Sequence, residues 1–171
     1  MSYVETSVIV AALDPSNPLR EAATRFLESE GVKLVSDPVL LDLAYTVSGD
    51  DELLSGIAER LGLSRGDAAA SMIIYVVKRL GLIYRSARGS VRLPLLGDTP
   101  RPIAEALVLA AQRLGYRRLL HVAYARALRE EGNPIYRFVT LDQGFEDARE
   151  LLRDTGIELV VLSGSSASPP G

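Results

Sequence analysis

The opening of the chain constrains its fold most, because an apolar strand there turns into a helix with no loop between them. Tyr3 and Val4 have strand character, and Thr6 or Ser7 is placed to cap a helix that runs through Ile9 to Leu13. Glu5 therefore falls where a strand ends and the positive end of a helix begins. A chain that starts this way is set for an α/β layer fold, in which ligands bind beyond the carboxyl ends of the strands.

The rest of the sequence repeats the alternation. After the turn signal at residues 14–18, residues 19–29 read as an amphipathic helix and residues 32–36 as a short buried strand. Asp37 is placed to cap the next helix, with Pro38 in its first turn and Asp42 toward its start. Residues 50–61 form a helix that Gly62 ends, and Ser64 with Asp67 opens a long apolar helix to Leu80. Residues 82–86 and 90–93 are expected to be the strands of a hairpin turning at residues 87–89, with a loop over 95–100. Helices follow from Arg101, stopped by Gly115, and from Arg117 to Glu130. A strand at 135–139, a helix at 145–154 and a strand at 158–162 complete the domain. Residues 163–171, made mostly of Ser, Pro and Gly, are expected to be a disordered tail.

At 171 residues, with 47% apolar and 24% charged residues, the chain suits one soluble domain with a sizeable core. No run is long enough for a membrane span and no secretory signal opens the chain, so a cytoplasmic location without membrane association is expected. The absence of cysteine rules out a disulfide framework, a thiolate metal site and a cysteine nucleophile. The net charge of −3 argues against a generally basic coat. Locally, however, residues 68–97 hold no acid, while Lys78, Arg79, Arg85, Arg88 and Arg92 fall there. Those five are the candidate nucleic-acid-binding residues, contacting phosphate rather than reading bases.

Three acids share equivalent places. Glu5 follows the first strand, Asp142 follows the strand at 135–139, and Asp42 lies early in the helix after the second strand. Parallel topology brings such positions to one sheet edge, with the first strand and the one before Asp142 adjacent at its centre. Clustered carboxylates repel unless a cation neutralises them, which points to Mg²⁺ or Mn²⁺ on oxygen ligands.

The segments "YVETSVIVAALDPSNPLREAATRFL", "LVSDPVLLDLA" and "EALVLAAQRLGYRRLLHVAYARAL…FVTLDQGF" resemble the PIN domain, a fold of metal-dependent nucleases that includes the toxin ribonucleases of toxin–antitoxin pairs. The resemblance covers most of the chain apart from roughly residues 47–100 and the tail. It implies a three-layer α/β/α domain over residues 1–162 with a central parallel sheet. Residues 50–97 would form a helical arm with a β-hairpin insertion. It also implies a Mg²⁺- or Mn²⁺-dependent ribonuclease whose catalytic and metal residues are Glu5, Asp42 and Asp142, with Thr140 positioning water or phosphate. RNA, an antitoxin-like protein partner and a second copy of the chain are the implied partners.

The site departs from the family pattern. Glu5 stands for Asp, Asp42 stands for Glu, and Arg118 occupies the third acidic position, three residues before His121. Only Thr140 and Asp142 match as the family writes them. The change at Arg118 alters local charge by two units, and each unit charge at ~4 Å interacts by about 4 kcal/mol at an effective dielectric near 20. Arg118 is therefore expected to lie among Glu5, Asp42 and Asp142 as a cation replacing the metal. The site is then either a weakened nuclease or a degenerate one that binds RNA or protein without cutting and needs no metal. His121, the only histidine, is assigned to packing or hydrogen bonding; Glu105 and Glu146 are possible substitute acids. Residues 53–93 also resemble a winged helix-turn-helix, which would imply a DNA-binding regulator.

Overall fold

The computed structural model describes residues 1–112 and 114–164. Five strands form one parallel sheet: β1 (Ser2–Val4), β2 (Lys33–Val35), β3 (Ile83–Tyr84), β6 (Arg137–Thr140) and β7 (Glu158–Val161), in the order β3-β2-β1-β6-β7. Tyr3 lies beside Leu34 on one side and Phe138 on the other, so the first strand and the one before Asp142 are neighbours at the centre, as expected. All three residues of β1 are buried, which fits a strand with neighbours on both edges and layers on both faces.

The helices are α1 (Thr6–Leu13), α2 (Arg20–Glu28), α3 (Asp37–Ser48), α4 (Asp51–Leu61), α5 (Arg65–Arg79), α6 (Arg101–Leu109), α7 (Tyr116–Glu130) and α8 (Arg149–Arg153). With the parallel sheet they give the three-layer α/β/α architecture. The main core is centred on Tyr3, Val4, Val8, Ile9, Leu34, Val35, Phe138 and Val139. A second, smaller cluster of Leu54, Ala58 and Ala68 joins α4 to α5. Gly62, at φ 64°, takes the left-handed cap between those two helices, a conformation that disfavours a Cβ. Among the described residues, no helix is long and apolar enough to cross a membrane.

Four local readings change. The helix after β1 is capped by Glu5 itself, whose side chain accepts from the Ser7 amide, rather than by Thr6 or Ser7. Ser36, not Asp37, holds the cap position of α3; Asp37 instead accepts from the hydroxyls of Tyr84 and Ser86. The hairpin exists but uses other strands: β4 (Ser90–Leu93) pairs antiparallel with β5 (Gly97–Pro100), where a loop was expected. Residues 83–84 join the main sheet beside β2 because Leu82 is buried and commits that segment to the core. With that strand parallel to β2, α5 does not lead directly into a wing. The expected helix at 145–154 is a 3-10 turn, Gln143–Ala148, followed by the short α8. Of the expected tail, residues 165–171 lie outside the described residues.

Candidate functional site

Parallel pairing brings the ends of β1 and β6 together, and α3 and the start of α7 close over them. The cleft between these elements has a volume of about 460 Å³ and is lined by Glu5, Ser7, Asp42, Arg117, Arg118, His121 and Asp142 among others. Its floor is an aromatic stack. Tyr3 lies flat on Phe138 with ring centroids 5.0 Å apart, Phe138 tilts against Phe145, and His121 meets both Tyr3 and Phe145 edge-on.

Glu5 is buried and held by hydroxyls and an amide. Its Oε2 accepts from the Ser7 amide at 3.1 Å, from the Ser7 hydroxyl, and from Thr140 Oγ1 at 2.9 Å. Thr140 is fully buried, and the same oxygen accepts from the Asp142 amide at 3.0 Å. One hydroxyl thus sets both the first acid and the backbone of the last. Ser7 Oγ, in turn, accepts from the Leu141 amide at 2.9 Å, tying the two strand ends together.

Asp42 is held from three sides. Its Oδ2 lies 3.1 Å from His121 Nε2 and accepts from Thr6 Oγ1 at 3.2 Å, while its Oδ1 is 2.8 Å from Arg117 Nη2. Burial pushes the Asp42 carboxyl up, but the bonds from His121 and Arg117 more than offset this and leave it below the usual carboxylate range. An ionised carboxylate only accepts, so His121 Nε2 carries a proton. His121 Nδ1 lies 3.1 Å from the Tyr3 hydroxyl, whose other neighbour is Ser36 Oγ at 2.8 Å. Ser36, Tyr3 and His121 are all buried, so this chain leads from the core to the cleft.

Asp142 is held by Arg118 through two bonds, Nε to Oδ2 at 2.7 Å and Nη2 to Oδ1 at 3.1 Å. The guanidinium, with help from the Gly144 amide, keeps the Asp142 carboxyl below its usual range, while partial burial opposes them. The guanidinium also lies against Gly144, in the space that a Cβ there would occupy. Arg117 and Arg118 side chains are 52% and 40% exposed, so water screens both pairs and each contributes only about 0–1 kcal/mol. In all, three carboxylates face two guanidinium groups.

Glu5, Asp42, Asp142, Thr140 and Arg118 are thus brought together. The expected arrangement changes in how the charges pair: Arg118 pairs with Asp142 alone, Arg117 takes Asp42, and Glu5 is bonded to the Ser7 amide and to the Ser7 and Thr140 hydroxyls rather than to a cation. The sequence reading missed this use of Arg117, although its place beside Arg118 was the available signal. It also missed the convergence of His121 on the acids. One ligand atom each from Glu5, Asp42 and His121 lies within 4.8 Å of the others, so this group could hold a metal ion. Lys78, Arg79, Arg85, Arg88 and Arg92 are exposed and stand outside the cleft, though Arg85 follows β3 at the same sheet edge. Glu105 pairs with Arg126 and Glu146 with Arg149, and neither lines the cleft.

No protein-family profile matches this sequence, and no curated protein matches it. Among solved structures, the chain is similar to VapBC2 from Rickettsia felis bound to a DNA fragment from their promoter. That match has 16% identity and a TM-score of 0.55, and covers 95% of this chain and 100% of that one. A domain of a functionally unknown protein from Methanocaldococcus jannaschii matches at 16% identity and a TM-score of 0.43, over 99% of this chain and 95% of that one. The likeness to VapBC2, a PIN-domain complex, shows that this chain has a PIN-like fold.

Proposed function

We propose that this PIN-like chain is a weakened Mg²⁺- or Mn²⁺-dependent ribonuclease, with its acids at the carboxyl edge of the sheet. The observation that carries the reading is the convergence of Glu5, Asp42 and Asp142 on one cleft, with a ligand oxygen of Glu5 and one of Asp42 within 4.8 Å of each other. The donor chemistry fits a divalent ion on Glu5 and Asp42. Among the described residues, Oε1 of Glu5 is paired with His121 Nε2 alone, at 3.9 Å, which leaves that oxygen open to a ligand. Magnesium commonly takes one or two carboxylates and completes its shell with substrate phosphate and water. When bound, the ion would supply charge neutralisation for the scissile phosphodiester.

The chain's own residues do the rest. Ser7 and Thr140 fix Glu5, and His121 fixes Asp42, so the two carboxylates are oriented before substrate arrives. Arg117 and Arg118 offer guanidinium groups to the phosphates. Outside the cleft, Lys78, Arg79, Arg85, Arg88 and Arg92 would carry the flanking RNA backbone without sequence preference.

The two-bond grip of Arg118 on Asp142 favours a second reading, a metal-free module that binds RNA or a protein partner without cutting. An antitoxin-like partner and a homodimer are proposed in either case; exposed Ile74 and Tyr75 on α5 give an apolar surface suited to one of them. Action as a DNA-binding regulator through residues 53–93 stays the most distant proposal. The deciding experiment is RNA cleavage with Mn²⁺ or Mg²⁺, run beside Asp142→Asn and Arg118→Asp. Cleavage that is lost in the first variant and raised in the second supports the nuclease. No cleavage in any of the three, with no metal bound, supports the binding module.

A further inference from the structure

We infer that Arg117 and Arg118 form a latch that exchanges carboxylate for phosphate, so that an RNA strand and a divalent cation enter this cleft cooperatively. The inference rests on the ribonuclease reading and concerns how that same site is controlled.

Both arginines stand in the first turn of α7 and line the cleft, each engaged by a different acid. A guanidinium fork that accepts a carboxylate edge-on accepts two phosphate oxygens in the same way. The α7 N-terminus adds to the attraction: its cap residue is Gly115, which has no side chain to bond the first amides of the helix. A phosphodiester entering the cleft therefore meets two partly exposed guanidinium groups and a set of uncapped amides. The carboxylates are the competing ligands that it has to displace.

Displacement has a consequence for the acids. In the resting cleft, Asp42 and Asp142 are each neutralised by an arginine, and a cation approaching Glu5 also faces both guanidinium groups. Once phosphate holds the arginines, Asp42 and Asp142 lose their neutralising partners, while His121 and Thr6 keep Asp42 in place, and the uncompensated carboxylates favour cation entry. Glu5 needs no release, because Ser7 and Thr140 hold it throughout. By linkage, whatever RNA adds to cation affinity the cation adds to RNA affinity.

The test is Mn²⁺ binding to the full chain, followed by the electron paramagnetic resonance signal of free Mn²⁺, with and without a short phosphorothioate oligouridylate. Binding by the oligonucleotide alone is subtracted. The latch requires Mn²⁺ affinity to rise at least tenfold when the oligonucleotide is bound. In Arg117→Gln/Arg118→Gln, Mn²⁺ should bind at the strengthened level without oligonucleotide. Gly144→Ala, which displaces the Arg118 guanidinium but keeps its charge, should move Mn²⁺ affinity in the same direction and serves if the double variant does not fold. An oligonucleotide that binds without changing Mn²⁺ affinity overturns the latch and leaves the ribonuclease reading standing. An oligonucleotide that does not bind even at low salt overturns both.

Discussion

Thr140 Oγ1 donates to Glu5 Oε2 at 2.9 Å and accepts the Asp142 amide at 3.0 Å, so a single buried hydroxyl fixes two of the cleft's three acids relative to each other. Thr140→Val keeps the shape of the side chain and removes both bonds. The Asp142 amide is then left without its acceptor, and Glu5 keeps only Ser7. The expected loss is about 1–3 kcal/mol, the range for a buried polar group deprived of its partner. Urea denaturation of the two proteins measures it; a loss within error would mean that water replaces the hydroxyl.

Gly144 decides where Arg118 can lie. A Cβ at 144 would occupy the space of the guanidinium, and the flexible side chain is the part able to move. Gly144→Ala should therefore break the Arg118–Asp142 pair while changing global stability by no more than about 1 kcal/mol. The ¹⁵Nε resonance of Arg118 reports the pair directly. A resonance that does not move in the variant would contradict this packing of Arg118 against Gly144.

The paired acids should give the protein an acid-sensitive cleft. Asp42 and Asp142 both have carboxyl groups below the ordinary value of 3.8, through His121 and Arg117 for the first and Arg118 for the second. Because the folded state depresses them, their contribution is fully present above that ordinary value and is lost as pH falls through the folded values. Stability should thus decline below about pH 4, with a shallower decline in Asp142→Asn. Denaturation midpoints between pH 5 and pH 2 test this, and parallel curves for the two proteins would count against it.

Tyr3 links two other buried polar groups, Ser36 Oγ at 2.8 Å and His121 Nδ1 at 3.1 Å. Burial holds the phenol well above its usual range, so it stays neutral and able to donate. Tyr3→Phe should cost about 1–3 kcal/mol by orphaning these partners. His121 is the only histidine, so its ¹⁵N shifts can be read without assignment. In the unmodified chain they should show a proton on Nε2; a proton found on Nδ1 alone would contradict the donation to Asp42.

Much of this could be read from the chain because it depends on local pattern. The alternation of short apolar strands and capped helices carries the parallel sheet, and the junctions at Glu5 and Thr140–Asp142 carry two corners of the cleft. What failed locally did so for identifiable reasons. Residues 82–86 looked like half of a hairpin because strand pattern is blind to partner, and burial of Leu82 sends them to β2 instead. Asp37 looked like a cap, but Tyr84 and Ser86 on a distant segment claim its carboxylate.

The sequence by itself determined that Glu5, Asp42 and Asp142 would gather at one sheet edge, because chain order and strand direction fix that. Only the tertiary structure decided how the charges pair. Arg117 and Arg118 are adjacent in sequence, yet the helix turns their side chains toward different acids. Pairing depends on angstrom-scale distances across four separate elements, together with the space left by the missing side chain of Gly144, and no spacing along the chain encodes that.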